Sequence, residues 1–143
     1  MPTILIQTDT TVGFLSQSSQ KLYEIKSRSN TKPFIKVYSS FKSFVETGNR
    51  VPVSKRRAIR YAKKTTFIVK NRAFRISALK QSSQIVRKLS WCYSTSANKS
   101  SESFSRDFCE TKSDIIIEDI NGLCERESSK LIKINNIKAR KTR

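Results

Sequence analysis

Short apolar runs alternate with polar stretches along the chain, and each run has the length of a single strand. Residues 3–8, TILIQT, show the pattern most clearly, because a buried run there ends in polar side chains. Runs rich in β-branched and aromatic residues, bounded by Gly, Asn or Pro, predict further strands. The predicted strands are 3–8, 33–39, 65–70, 73–77, the run that starts at Trp91, 114–119 and 130–134.

Segments with helical spacing lie between these runs. Ser16 is a candidate N-cap for a helix that carries Leu22 and Ile25, and Ser77 is a candidate cap for residues 78–89. Because strands and helices mix irregularly and no repeat occurs, the pattern predicts a single α/β or α+β domain over residues 1–143, with a basic tail at 135–143. Further helices are predicted over 41–47, 53–64 and 105–112.

Residues 53–64, VSKRRAIRYAKK, form the most basic segment of the chain. As a helix, this segment would place its cations on one face and Ala58, Ile59, Tyr61 and Ala62 mostly on the other. The cations are Arg56, Arg57, Arg60, Lys63 and Lys64.

Three short segments place polar residues where predicted strands end. They are QTDTTVG (7–13), STSAN (94–98) and ESSK (127–130). Ligands of open α/β sheets bind outside the carboxyl ends of strands, so we expect these segments to converge. Lys26, Arg28 and Lys32 lie where a helix gives way to a strand, and an Arg fork with a Lys point charge can hold one anion. Taken singly, each segment is equally typical of caps and solvated helix ends.

The charge balance points to a polyanionic partner. The chain has 29 Lys and Arg against 11 Asp and Glu, a net charge of +18, which favours nucleic acid or nucleotide phosphate. A Lys-rich proteome is the simpler alternative. Cations and hydroxyls together suit phosphate binding and charge stabilisation at phosphorus.

Other chemistries are excluded by composition. The chain has no histidine, and its three cysteines, Cys92, Cys109 and Cys124, are far apart. This excludes His-dependent nucleophilic sites and argues against a zinc site, so the cysteines are expected to be free thiols. The chain has only three glycines and contains neither a P-loop motif nor a dinucleotide-binding fingerprint. The N-terminal run is too short for a signal peptide or membrane span, so we expect a cytoplasmic protein without membrane partners.

In this order, the segments resemble the YrdC-like proteins. QTDTTVGF resembles their P-T-D-T-V-Y-G-L, and YEIKSRSNTKPF resembles their I-F-x-I-K-x-R segment. TTFIVKNRAFRI is similar to T-L-I-L…R-I-P, and YSTSANKSS to S-T-S-A-N-x-S-G. The segment from Asp114 to Ile134 is similar to D-x-I-L-D-G-G…P-S-T-I-V-D. The likeness spans nearly the whole chain, and its specific part is Lys-x-Arg with a later Ser-x-Asn.

The resemblance implies a fold and a reaction. The fold would be one twisted, open mixed sheet with flanking helices around a concave basic cavity. The activity would be that of a threonylcarbamoyl-AMP synthase, a nucleotidyltransferase that joins L-threonine, bicarbonate and ATP, with Mg²⁺, and releases pyrophosphate. A partner complex would then transfer the threonylcarbamoyl group to tRNA. Some members are described as binding double-stranded RNA.

The resemblance also assigns residues to this cavity. Lys26, Arg28, Ser96, Asn98 and Arg140 would bind ATP and its phosphates. Thr8, Thr10, Ser94 and Ser129 would bind threonine, with Lys32, Thr66 and Arg75 at the cavity edge. No protein residue would act as a covalent nucleophile or hold a metal on its own. A structural consequence is that Ser96 and Asn98 should face the same cavity as Lys26.

The sequence departs from the family pattern at several positions. Val12 stands for the family's Tyr, Ser27 for a Gly, and Lys130 for the Thr of P-S-T, while AKKTT replaces P-G-P-L-T. The alternative function is therefore a catalytically altered relative that binds double-stranded RNA or tRNA through the basic helix at 55–64 and the tail at 138–143. A third interpretation is an α/β domain whose charges are merely solvated.

Overall fold

The computed structural model describes residues 1–29, 31–77 and 80–143, with the backbone course alone for 80–83. The described residues form one mixed sheet in the order β7-β1-β2-β6-β3-β5-β4-β8-β9. Its strands are β1 (Ile4–Gln7), β2 (Val12–Ser16), β3 (Ile35–Tyr38), β4 (Thr65–Val69), β5 (Arg72–Ile76), β6 (Trp91–Ser96), β7 (Ile115–Ile117), β8 (Lys130–Ile134) and β9 (Ala139–Lys141). The mixed α/β fold class predicted from the sequence is confirmed.

The helices connect and cover these strands. They are α1 (Ser19–Lys26), α2 (Phe41–Glu46), a 3₁₀ turn (Val53–Lys55), α3 (Arg56–Tyr61), α4 (Lys80–Leu89) and α5 (Arg106–Lys112). Among the described residues, no helix has the length and apolar character that crossing a membrane requires.

Side chains alternate between the two faces of the sheet, and this alternation divides the core. On one face, Leu5 and Phe14 pack with α1 and α5, and Phe67 and Phe74 pack with α2 and α3. On the other face, Ile6 joins the cluster that Val86 of α4 completes. Helices therefore cover one face broadly, whereas α4 covers part of the other.

Strand β2 was missed in the sequence, and the start of α1 was wrong as a result. Val12–Ser16 pairs with β1 on one side and β6 on the other. Both of its faces are covered, since Phe14 packs with α1 and α5 and Leu15 lies in the cluster of Val86. All five residues are therefore buried, and the pattern lacks alternation. Ser16 ends this strand and is fully buried. The N-cap of α1 is Ser18, whose side chain accepts from the backbone N–H of Lys21.

The basic segment 53–64 forms a shorter helix than the spacing predicted. The α3 helix ends at Tyr61, and Lys64 has a left-handed backbone with φ of 51°, so Lys63 and Lys64 do not share its face. Of the predicted apolar face, Ile59 is buried, whereas Tyr61 is 69% exposed. The helix has six residues, and Ile59 is the one α3 side chain that is buried.

Two further boundaries depend on strand pairing. The predicted hairpin around Asn71 is confirmed: β4 and β5 pair antiparallel, and Lys70 and Asn71 both have positive φ, as a two-residue turn requires. The predicted tail is partly wrong, because residues 139–141 form β9 against β8. The predicted cap at Ser77 precedes residues 78 and 79, which lie outside the described residues.

Candidate active site

A cavity of about 250 Å³ opens on the face of the sheet that α4 covers in part. Cys92 of β6 packs in the α4 cluster, so Ser94, two residues further along the strand, points to the same face. The cavity lies beyond α4, where β1 and β6 end and β2 and β8 begin. It is lined by Thr8, Thr10, Thr11, Gly13, Arg28, Pro33, Phe34, Ile35, Arg75, Ser94, Thr95, Ser96, Ser128, Ser129 and Arg143.

A chain of directed hydrogen bonds forms the floor of this cavity. The Thr8 hydroxyl donates to the Thr11 carbonyl at 2.6 Å, so in its 3.2 Å contact with Thr10 it must accept. The Thr10 hydroxyl in turn accepts from Nη1 of Arg75 at 2.9 Å. Thr8 also accepts from the backbone N–H of Thr10 at 3.3 Å, so its hydroxyl is fully used. Thr10 keeps one lone pair that can face a ligand.

Asp9 lies beside this chain and pairs with Arg75. Nε of Arg75 is 3.6 Å from Oδ1 of Asp9, and both side chains are 5% exposed. Burial lowers the pKa of the Arg75 guanidinium, and the Asp9 charge opposes that effect. Within the described part of the chain, Nε of Arg75 and Oδ2 of Asp9 have no hydrogen-bond partner. A buried charged pair with unused hydrogen-bonding capacity is unusual outside functional sites.

Lys26, at the end of α1, is enclosed by the loop that follows β6. Its Nζ donates to the Asn98 carbonyl at 2.7 Å and to Oδ1 of Asn98 at 2.6 Å. It also donates to the Ser96 carbonyl at 3.0 Å, with the Ser96 hydroxyl at 3.4 Å. Burial, together with the charge of Arg28, lowers the pKa of Lys26 from 10.5 to about 8. The three ammonium protons are therefore directed at neutral oxygens.

Arg28 reaches the cavity wall from the turn after α1. Its guanidinium lies 4.3 Å from the centre of the Phe34 ring and donates to the Lys32 carbonyl at 2.9 Å. Burial lowers the pKa of Arg28 as well. The planar fork is thus fixed by a ring and a carbonyl, a support that leaves it able to bind phosphate or carboxylate.

The segment between β7 and β8 closes the remaining wall. The backbone N–H of Val12 donates to the Cys124 carbonyl at 3.3 Å, and that of Arg126 donates to the Thr11 hydroxyl at 3.0 Å. These bonds lead the chain to Ser129, whose carbonyl accepts from Nε of Arg143 at 3.2 Å.

The predicted site residues fall into three groups. Seven line the cavity: Thr8, Thr10, Arg28, Arg75, Ser94, Ser96 and Ser129. Three are one contact away: Lys26 and Asn98 lie behind Ser96, and Thr66 bonds the Ser129 hydroxyl at 2.8 Å. Two lie elsewhere: Lys32 is exposed, and Arg140 lines a different groove.

The structure corrects two of these expectations. Arg75 is not at the cavity edge but on its floor, 4% exposed. Arg143 lies at the cavity position expected of Arg140, because β9 pairs Arg140 with Lys133 and the chain then continues along β8, past Leu131, toward Ser129. The separate cluster Arg56, Arg57 and Arg60 is exposed on α3 and does not line the cavity.

Sequence reasoning missed the close approach at Gly13. A Cβ there would lie 3.0 Å from Cγ2 of Thr8 and 3.0 Å from the Thr95 carbonyl oxygen. A glycine inside a strand signals such an approach, but the strand itself had not been recognised.

The cavity suits anion binding better than nucleophilic chemistry. Burial raises the pKa of the Cys92 thiol to about 12 and also raises that of Cys109, so both thiols are protonated at neutral pH. The cavity wall offers guanidinium groups, hydroxyls and lone pairs, a set that can orient a phosphate and an amino acid side by side.

The fold is similar to solved YrdC-like structures. P. abyssi Sua5 complexed with L-threonine matches with a TM-score of 0.80 and 16% identity, covering 99% of this chain and 50% of that one. E. coli YciO matches with a TM-score of 0.78 and 16% identity, covering 99% and 82%. HypF in its phosphate- and nucleotide-bound form matches with a TM-score of 0.77 and 13% identity, covering 99% and 26%.

These likenesses show the fold. No family model matches the chain, and no curated protein matches its sequence. The chain spans about half the length of the P. abyssi Sua5 chain that it matches. It has a YrdC-like fold, as the resemblance of its motifs implied.

Proposed function

We propose, from the YrdC-like fold and the composition of the cavity, that the protein is an L-threonylcarbamoyladenylate synthase. One observation carries the proposal: the hydroxyls of Thr8 and Thr10 and the guanidinium group of Arg28 line the same cavity. The solved neighbours include one complexed with L-threonine and one bound to phosphate and nucleotide. A cavity built for one small amino acid beside one phosphate chain fits these substrates.

The floor would bind the amino acid. The remaining lone pair of Thr10 would accept from an ammonium or hydroxyl group, and Arg75 orients Thr10 by donating to its hydroxyl oxygen. Ser94 and Ser129 add hydroxyls on either side. L-Threonine carries both an ammonium and a hydroxyl group, so its polarity fits the floor.

The wall would bind the nucleotide. Arg28 and Ser96 line it, and Lys26 stands directly behind Ser96. A cavity of about 250 Å³ is smaller than typical small-molecule pockets of about 300 Å³ or more, so the adenosine would extend through the open side.

Magnesium would enter with ATP. Within residues 1–29, 31–77 and 80–143, no three acidic or cysteine side chains are grouped so as to hold a metal ion. Mg²⁺ commonly uses substrate phosphates and water in place of a full set of protein ligands, and the residues present fit that mode.

The reaction requires positioning and charge stabilisation. The threonine amine and bicarbonate form a carbamate with loss of water, and a carbamate oxygen attacks the α-phosphorus of ATP. The bond from that phosphorus to the β-phosphate oxygen breaks, and pyrophosphate leaves with its electron pair. Arg28 and Lys26 would stabilise the charge on the phosphates. The threonylcarbamoyl adenylate would then serve a transfer complex that modifies tRNA.

Pyrophosphate release tests this proposal. Release should require L-threonine, bicarbonate and Mg-ATP together, and Arg28→Ala should abolish it. Lys42→Ala, which removes an equally charged but exposed side chain on α2, should leave the rate unchanged. Release that is absent from the unaltered protein, or independent of threonine, would refute the synthase.

A second candidate is RNA binding without catalysis. The exposed Arg56, Arg57 and Arg60 on α3 favour it, since binding needs phosphate contacts alone. Affinity for tRNA would then fall steeply as salt is added, without any pyrophosphate release.

A further inference from the structure

The sheet has two free edges, and they carry opposite charge. In the part of the chain that the structure describes, β7 pairs with β1 alone and β9 pairs with β8 alone. Residues 114–127, which include β7, hold five acidic residues and one basic residue. Residues 128–143, which include β9, hold six basic residues and no acidic one. The two edges of one molecule are therefore complementary in charge.

The strand directions suit pairing between these two edges. Of the eight neighbouring strand pairs in the described sheet, five are antiparallel and three, including β7 with β1, are parallel. Because the number of reversals is odd, β9 runs opposite to β7. If a second copy is placed beside the first in the same orientation, its β7 therefore lies antiparallel to β9 of the first copy. Antiparallel strands pair through hydrogen bonds perpendicular to the strands.

The outward hydrogen-bonding groups of the two edges also match. The backbone N–H of Ile115 donates at 3.2 Å to the chain beside it, just before β1, so the N–H and C=O of the next residue, Ile116, point to the free edge. The backbone N–H of Thr142 donates to β8 at 2.8 Å, so the N–H and C=O of Lys141 point outward. Ile116 of one copy and Lys141 of the next can therefore exchange both hydrogen bonds.

Ile116 and Lys141 also lie on the same face of the sheet. Ile116 is in register with Leu5, and Lys141 is in register with Ile132. Leu5 and Ile132 pack on the face that α1, α2, α3 and α5 cover. Pairing Ile116 with Lys141 thus satisfies the hydrogen bonds and keeps these helices of both copies on one side of a continuous sheet.

This register also brings opposite charges and exposed apolar side chains together. Since each step forward from Ile116 is a step back from Lys141, Asp119 lies opposite Lys138 and Ile120 lies opposite Ile137. Ile120 is 100% exposed and Ile137 is 82% exposed. Among the described residues, neither Asp119 nor Lys138 takes part in an ion pair. Both kinds of contact are therefore available to a second copy.

Neither edge suits a second copy of itself. Two β7 edges would bring Asp114 and Glu118 of one copy close to the same carboxylates of the other, and two β9 edges would bring Arg140 and Lys141 together. Like charges directly opposite each other destabilise a strand pair, and lysine on an edge strand opposes pairing with a similar edge. The charges therefore select β7 as the partner of β9.

We propose that the protein associates head to tail, with β7 of one copy adding to β9 of the next. This contact uses different surfaces on the two copies, so it extends into a row of copies unless the rotation closes a ring. Each strand has three residues, so the contact is small and the association is weak and transient. The net charge of +18 opposes association at low salt. At about 0.15 M salt, screening over about 8 Å reduces this long-range repulsion while charge pairs in contact persist.

Sedimentation velocity in about 0.15 M KCl tests the proposal at protein concentrations from about 10 to 500 µM. The sedimentation coefficient of the unaltered protein should rise with concentration and fit an open-ended series of oligomers. Ile116→Pro should abolish the rise, because proline removes the outward N–H and is tolerated in an edge strand where that N–H faces solvent. Urea unfolding of this variant checks that the sheet is retained.

An exchange of charges across the contact tests the pairing without proline. Asp119→Lys alone and Lys138→Glu alone should each weaken association about fivefold or more, because each sets like charges opposite each other. An equimolar mixture of the two variants should associate as the unaltered protein does, since each variant supplies the edge that complements the other. The matched controls Glu46→Lys and Lys42→Glu make the same charge changes at exposed positions of α2, and they should leave association unchanged.

Several results would overturn the proposal. A protein that stays monomeric at about 500 µM lacks the contact. A series that stops at the dimer would indicate a two-fold contact in place of a head-to-tail one. Full association by either charge variant alone, or none in their mixture, would place the contact away from Asp119 and Lys138. These measurements need no substrate, so their outcome is independent of the synthase activity.

Discussion

Replacing Lys26 by methionine measures what it costs to bury this ammonium group. Lys26 is 4% exposed, and burial lowers its pKa from 10.5 to about 8. Methionine keeps the apolar stem and carries no charge, so the two proteins differ in one titrating group.

The sign and size of the effect follow from the two pKa values. Between about pH 8 and 10.5 the unfolded chain holds a proton on Lys26 that the folded protein has released, so stability rises with pH across this window. Below about pH 8 the folded protein bears the full cost of the buried charge. At about 1.4 kcal/mol per pH unit, the gain across the window is roughly 3 kcal/mol.

Urea unfolding at a series of pH values from about 7 to about 10.5 measures this gain. The free energy of unfolding of Lys26→Met is subtracted from that of the unaltered protein at each pH, so the contributions of groups that the Lys26 charge does not influence cancel. The difference should rise by roughly 3 kcal/mol. A flat difference would refute the reasoning, because it would mean that the oxygens of Ser96 and Asn98 hold the proton as firmly as water does.

Three further changes probe the cavity floor and wall. Asp9→Asn leaves Arg75 buried without its counter-charge and should lower the free energy of unfolding by about 3 kcal/mol or more, as measured with urea. If the losses of Asp9→Asn and Arg75→Gln simply add in the double variant, the two side chains are not paired. Gly13→Ala should cost about 1 to 3 kcal/mol, because its Cβ meets the Thr95 carbonyl at 3.0 Å; an unchanged melting temperature would show that β6 can shift. Ser129→Ala should cost about 1 kcal/mol for its lost buried hydrogen bond, and it should raise the KM for threonine without a matching fall in kcat.

Most strands were predictable because local pattern and tertiary burial agree in them. The hairpin of β4 and β5 is an example, since alternation and the Asn71 turn point to the same pairing. Strand β2 was not predictable on that basis, because core clusters cover both of its faces and remove the alternation. The helix over residues 53–64 was overextended for the opposite reason: its spacing was helical, but the sheet offers a buried site for Ile59 alone among the side chains of α3.

The part of the site that lies at strand ends was predictable from the sequence. Thr8, Thr10 and Ser94 stand at such ends, and the sheet brings them together. Which cations face the cavity depends on the path of the chain beyond the strands, and no local pattern encodes that path. Arg143 lies in the cavity and Arg140 outside it because of how β9 pairs with β8.

The partners of Arg75, Lys26 and Arg28 indicate that these cations have different roles. Arg75 is paired with a carboxylate, Asp9, so a bound anion would have to compete with a charge already present. Lys26 and Arg28 are held by carbonyl, amide and hydroxyl oxygens and by one ring, none of which carries a charge. Exchanging these neutral partners for a phosphate oxygen adds a counter-charge and separates no ion pair. For this reason Arg75 is suited to orienting the side chains of Thr8 and Thr10 in the cavity floor, whereas Lys26 and Arg28 are suited to binding the phosphates of the nucleotide.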